Sequence, residues 1–180
     1  MRFWVWPIIA AVVGLGLAPA AAHGPSRQKL IETIDIDQPT AKVWAIIRDF
    51  DSFAKWFPGA ASSAADKGNE VGSVRTIVLK APGDPKIVEE LLSYDDAKHT
   101  YHYAIKEVDV KVLPVNNYSS TIRVTGEGDK STVEWKGAFY RGFVNNDPPP
   151  ELSDEAAVKA VTGVYKAGLE ALKAKIEGGK

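Results

Sequence analysis

The sequence predicts an α+β fold in which a curved antiparallel sheet grips one long C-terminal helix. Two observations carry this expectation. Over residues 153–177, Val158, Val161, Tyr165, Gly168, Leu169, Leu172 and Ile176 recur at spacings of three and four, so they form one apolar stripe. Between Gly72 and Gly142, by contrast, most segments alternate with period two and are separated by glycine, proline or aspartate turns, as strands are. At 1.5 Å per residue the helix runs roughly 36 Å, and a stripe of that length needs a surface about as long to cover it. Ser153 is placed to cap the helix, Asp154 and Glu155 suit its positive end, and Gly178-Gly179 stops it.

The remaining elements follow in order. Residues 30–36 alternate, with Ile34 and Ile36 on one face: a first strand. Asp37-Gln38-Pro39 breaks it, and Pro39 suits the first turn of a helix whose apolar side is Val43, Trp44, Ile46 and Ile47. Asp49 and Asp51 are candidate caps for a second short helix over residues 50–57, ended by Pro58-Gly59. Residues 60–69 are small and polar, at best a weak edge strand. Residues 73–80, 86–94, 100–108, 115–125 and 132–141 then read as strands, which makes a sheet of about seven. Residues 145–150 form a proline-stiffened connection into the last helix.

Composition removes several functions. The chain has 180 residues with Lys+Arg 22 against Asp+Glu 23, so no charge excess points to nucleic acid. Cysteine is absent, which excludes disulfides, thiolate metal sites and cysteine nucleophiles. Residues 1–22 read as a cleaved signal peptide: Arg2, an apolar run from Phe3 to Leu17, then Ala18-Pro19-Ala20-Ala21-Ala22 as the small-residue cleavage site. The mature chain would begin near His23 as one domain, residues 23–180, periplasmic and without a membrane anchor.

No cofactor or metal is expected. His99 and His102 look like a metal pair, but an odd offset within one strand would put them on opposite faces. There is no G-x-S-x-G elbow, and Asn117-Tyr118-Ser119, a glycosylation sequon in form, falls inside a predicted strand. What remains are polar groups on the face of the sheet turned toward the helix. Parity groups Arg75 with Ile77 and Leu79, Glu89 with Ile87 and Leu91, Tyr101 with Tyr103 and Ile105, and Tyr118 with Ile122 and Val124. Charges on an inward face must be paired, hydrated or reserved for a ligand. Arg75 and Glu89 are therefore either a structural ion pair or part of a ligand pocket, whose candidate residues are Arg75, Ile77, Glu89, Tyr101, Tyr103 and Tyr118.

The order of elements resembles the helix-grip fold, the START or Bet v 1-like superfamily. The resemblance is carried by residues 34–57 (IDIDQPTAKVWAIIRDFDSFAKWF), by Val71 to Arg75 (VGSVR), by Glu89-Glu90-Leu91 with Asp95, and by Asn117-Tyr118-Ser119-Ser120. It is strongest for the bacterial polyketide cyclase/dehydrase-like branch and more distant for the plant abscisic acid receptors. The receptors' pocket, carried over, implies Arg75, Ile77, Glu89, Tyr103 and Tyr118 as lining positions. Residues 81–86 (APGDPK) stand where the receptors have a gate loop but differ from it, and residues 110–115 lack the second gating motif. More narrowly, the tail from Phe139 to Lys175 resembles that of periplasmic accessory proteins encoded with bacterial methanol dehydrogenases. That resemblance implies a dehydrogenase and its cytochrome as partners. Two functions follow: a non-catalytic exported protein that binds a hydrophobic or amphipathic small molecule, or a polyketide cyclase/aromatase-like enzyme. The enzyme would have to draw its acid or base from Glu89, Arg75 and the tyrosines.

Overall fold

The computed structural model describes residues 24–178; the signal-peptide expectation for residues 1–22 lies outside them. The elements run β1 (Gln28–Ile36), α1 (Thr40–Ile47), a 3₁₀ turn (Phe50–Ser52), α2 (Phe53–Trp56), β2 (Ala60–Ala65), β3 (Val74–Leu79) and β4 (Lys86–Asp95). They continue through β5 (Thr100–Val108), β6 (Val115–Glu127), β7 (Lys130–Arg141), a second 3₁₀ turn (Pro150–Leu152) and α3 (Asp154–Glu177). All seven strands form one antiparallel sheet in the order β1-β7-β6-β5-β4-β3-β2. This is the helix-grip arrangement that the sequence predicts.

Local chemistry explains each end of the sheet. The β6–β7 hairpin is the longest pairing, with Glu127 opposite Lys130 across Gly128-Asp129. Residues 60–69 hold a six-residue edge strand, β2, whose small side chains pair with β3 only. On the inner face of β6 parity is broken on purpose. The register shifts between Asn116 and Ser119, with Asn117 at φ 47°, and this bulge turns both Val115 and Tyr118 inward although they are an odd number of residues apart.

The helices close the concave side. Ser153 caps α3, its side chain accepting from the Ala156 N–H, and Ala157, Val161, Tyr165, Gly168, Leu169, Leu172 and Ile176 are buried. Val158, expected on that stripe, is only half-buried; Ala157 takes its place. Pro39 sits one residue before α1 rather than inside its first turn. Trp44 of α1 donates through Nε1 to Asp96 Oδ1 at 2.8 Å, an oxygen that also accepts from Tyr94 OH at 3.0 Å, and these bonds hold Asp96 below its ordinary value. The segment after α1 departs from expectation. Residues 50–57 split into a 3₁₀ turn and one turn of α-helix, and neither Asp49 nor Asp51 caps them. The Phe50 N–H is instead capped from a distance by Asn69 Oδ1 at 2.7 Å.

Arg141, buried at the end of β7, fixes the connection into α3. It donates to Phe143 O, Asn145 O and Asp154 Oδ2 at 2.9, 2.8 and 3.0 Å, so one guanidinium satisfies the carbonyls of a segment with no ladder of its own. On the far end, Lys173 is not free: its Nζ donates to Asp35 O at 2.7 Å and lies 3.7 Å from Glu177.

Placing a carboxylate at Leu172, which is 1% exposed, leaves an unpaired charge under the sheet. Leu172→Asp should cost at least about 3 kcal/mol. Lys166→Asp, on the exposed side of α3, should stay within about 0.5 kcal/mol. Denaturant midpoints of the two variants check this, and equal losses would mean that α3 is not covered as described.

Candidate functional site

The concave face and α3 do not meet everywhere. Between them lies a mostly apolar cavity of about 230 Å³. Its sheet wall is built from alternate residues of successive strands: Ile77, then Ile87 and Glu89, then Tyr103 and Ile105, then Tyr118 and Trp135. Phe53 and Phe57 of the α2 segment and Val164 of α3 face them. The rim comes from Gly59, from Lys80 and Ala81 after β3, and from Val112 and Leu113 before β6. A larger hollow of about 360 Å³ lies on the convex face among Arg27, Lys29, Arg123 and Lys136, but it is an open, polar surface away from these groups. The apolar cavity, with few polar groups converging on it, has the character of a small-molecule site.

Its charged element is Arg75–Glu89, cross-strand partners on β3 and β4. They are 1% and 5% exposed, so the pair is effectively out of water. Arg75 donates from Nε and Nη2 to the same oxygen, Glu89 Oε2, at 2.8 and 2.5 Å, and from Nη1 to Phe50 O at 2.6 Å. The guanidinium carbon lies 4.1 Å from the Phe50 ring centre, 5.0 Å from that of Phe53 and 5.2 Å from that of Tyr103, an arrangement that suits a weakly hydrated planar cation. Burial holds the Glu89 carboxyl above its ordinary value, although the guanidinium beside it pulls the other way. Burial works against the charge on Arg75, but Glu89 together with the Tyr101 and Tyr103 phenols outweighs it, and Arg75 stays protonated.

The second element is a set of hydroxyls at the inner end. Trp135 Nε1 donates to Tyr103 OH at 3.1 Å. Tyr118 OH lies 2.7 Å from Tyr165 OH, Tyr165 OH lies 2.9 Å from Ser120 Oγ, and Ser120 Oγ donates to Lys136 O at 2.8 Å. Burial pushes Tyr165 up to about 12 and Tyr103 and Tyr118 well above the ordinary tyrosine value, so all three are neutral phenols. The Tyr165 ring stacks on Trp135 with centres 4.5 Å apart and planes 12° from parallel. Gly137 makes this possible, because a Cβ there would lie 2.1 Å from the Tyr165 hydroxyl oxygen.

Known proteins share this plan. Residues 27–177 match the family described as polyketide cyclase / dehydrase and lipid transport. The chain belongs to that family. Among solved structures, an uncharacterised protein from Bacillus thuringiensis is 32% identical, with a TM-score of 0.69 over 83% of this chain and 99% of that one. The protein XoxI from Bacillus cereus is 30% identical, with a TM-score of 0.68 over 83% and 95%. The ZhuI aromatase/cyclase from Streptomyces sp. R1128 is 18% identical, with a TM-score of 0.69 over 84% and 94%, a likeness of fold alone. No curated protein matches the chain.

In this helix-grip protein the six predicted site residues separate. Ile77, Glu89, Tyr103 and Tyr118 line the cavity together. Arg75 stands behind Glu89, turned toward Phe50. Tyr101 is on the expected face but not at the cavity: its ring lies 6.0 Å from that of Trp44 and 6.1 Å from that of Phe50. Sequence reasoning missed Trp135, although Val133, Trp135 and Phe139 alternate as inward residues, and it read Tyr165 as apolar stripe only. His99 lies in the β4–β5 turn at φ 48°, not in a strand, and its ring packs on Trp44. His102 Nδ1 lies 2.9 Å from Ser120 O. Among the described residues no group of three or more His, Cys, Asp or Glu could hold a metal ion.

The hydroxyl chain yields a coupled prediction. Gly137→Ala drives a methyl into the Tyr165 oxygen and should cost about 1–3 kcal/mol. In a Tyr165→Phe background the same substitution should cost under half as much, because the clashing atom is gone. Thermal unfolding of the four proteins in that cycle measures the coupling, and strict additivity would contradict it.

Proposed function

We propose that this protein is an exported, non-catalytic binder of a hydrophobic or amphipathic small molecule. We further propose that it serves periplasmic methanol or alcohol oxidation as an accessory to a dehydrogenase and its cytochrome. The observation that carries the binding reading is the mostly apolar cavity with Glu89 and two phenols in its wall. Membership of a family described by cyclase, dehydrase and lipid-transport activities supports a small apolar ligand over a nucleic acid or an ion. The accessory role rests on the resemblance of the C-terminal tail, and export on residues 1–22.

Binding is favoured over cyclisation by the state of the candidate base. Glu89 Oε2 already accepts two hydrogen bonds from Arg75, so that oxygen is committed to the fold and is not free to take a proton from a substrate. The phenols, held up by burial, are poor bases and poor acids near neutrality. The cyclase reading keeps the same cavity but needs turnover.

Native mass spectrometry of protein purified from its own periplasm tests both parts at once. The expected result is a chain beginning at or near His23 that carries a non-covalent adduct of small-molecule mass. A full-length chain in the membrane fraction would overturn export. An adduct-free protein that also fails to bind apolar fluorescent probes would overturn the binding reading.

A further inference from the structure

The hydrogen-bonding side chains of the inner wall narrow the ligand of the binding reading on which this inference rests; the other charged residue of the lining, Lys80, lies exposed at the rim. Glu89 Oε2 is taken twice by Arg75, while Oε1 accepts no protein hydrogen bond among the described residues and is not sealed from the cavity. Proton counting settles the phenols. Ser120 has one hydroxyl proton and gives it to Lys136 O, so Tyr165 must donate to Ser120 and Tyr118 to Tyr165. The Tyr118 proton is therefore spent. Tyr103 differs: its oxygen accepts from Trp135 Nε1, and its own O–H has no acceptor among the described residues. The wall thus presents one open carboxylate oxygen and one open phenolic donor, held on the adjacent strands β4 and β5.

We infer that the cavity selects a small uncharged molecule of the phenol or alcohol class, apolar except for one hydroxyl that donates to Glu89 Oε1 and accepts from Tyr103. A hydroxyl both donates and accepts, so it satisfies the two open groups together. Charge sharpens the choice. Arg75 and Glu89 balance each other and Lys80 stays exposed at the rim, so a carboxylate ligand seated at the depth of Glu89 would add an unpaired anion there, and an ammonium would leave a net buried cation. Size sets the remainder. An apolar cavity of about 150 Å³ holds benzene, so 230 Å³ admits one ring with a short substituent or an aliphatic alcohol of similar bulk.

The test is calorimetric titration of the mature protein at pH 7 with toluene and three para-substituted toluenes: p-cresol, p-toluate and 4-methylbenzylammonium. p-Cresol is neutral at this pH, as tyrosine is. It should bind at least tenfold more tightly than toluene, since one net hydrogen bond to a charged acceptor alone is worth about that much and the Tyr103 bond adds to it. The two ions should bind more weakly than toluene. Tyr103→Phe should lower p-cresol affinity about fivefold to tenfold and leave toluene unchanged; the wild-type series stands by itself if that variant does not fold. Toluene and p-cresol binding equally, or p-toluate matching p-cresol, would overturn this selectivity and leave the binding reading intact. Failure of all four to bind would overturn both.

Discussion

The buried pair Arg75–Glu89 is the interaction on which the rest of the concave face depends. A charged pair out of water costs free energy unless its geometry is good and its remaining donors are satisfied. Here the sheet supplies the geometry by placing the two residues opposite each other on β3 and β4. The chain between α1 and β2 supplies the remainder: the third guanidinium bond goes to Phe50 O, and the Phe50 and Phe53 rings cover the cation. The segment from Phe50 to Trp56 is therefore held by Arg75 from below and by Asn69 at its start. That is why a stretch with little helical order of its own can form one side of a cavity.

The same pair divides structure from function inside one carboxylate. Oε2 serves the fold and Oε1 faces the space that remains. Across the cavity α3 is brought close by small residues: Gly137 clears Tyr165, and Gly168 lets the helix approach, since a Cβ there would lie 2.7 Å from Trp135 and 3.0 Å from Phe57. Where α3 carries Val164 instead, space is left. Dense aromatic packing at one end and a void at the other are thus two results of one helix lying on one curved sheet.

Much of this was legible in the sequence, and the reason is periodicity. A period near 3.6 identified α3, and a period of two put Arg75, Glu89, Tyr101, Tyr103 and Tyr118 on the inner face. Periodicity assigns a face, not a depth along the strand. Tyr101 is one inward position from Tyr103, yet it falls under Trp44 and Phe50 instead of at the cavity. Nor does a local pattern reveal long-range satisfaction of backbone groups. Asn69 capping Phe50, Arg141 gathering the carbonyls of residues 143 and 145, and the hydroxyl chain from Tyr118 to Lys136 all join residues whose spacing carries no signal. His99 was misplaced for a related reason: the β4–β5 strands stop short of it at a turn with positive φ.

The central claim, that Arg75 and Glu89 act as one unit on which the cavity wall is built, is tested most directly by a double-mutant cycle on folding stability. Arg75→Met and Glu89→Leu should each cost roughly 3–5 kcal/mol, because each leaves the other charge buried without its partner. The double variant should recover most of that loss, remaining about 1–3 kcal/mol below wild type for the Phe50 carbonyl left without its donor. Losses that simply add in the double variant would contradict the account.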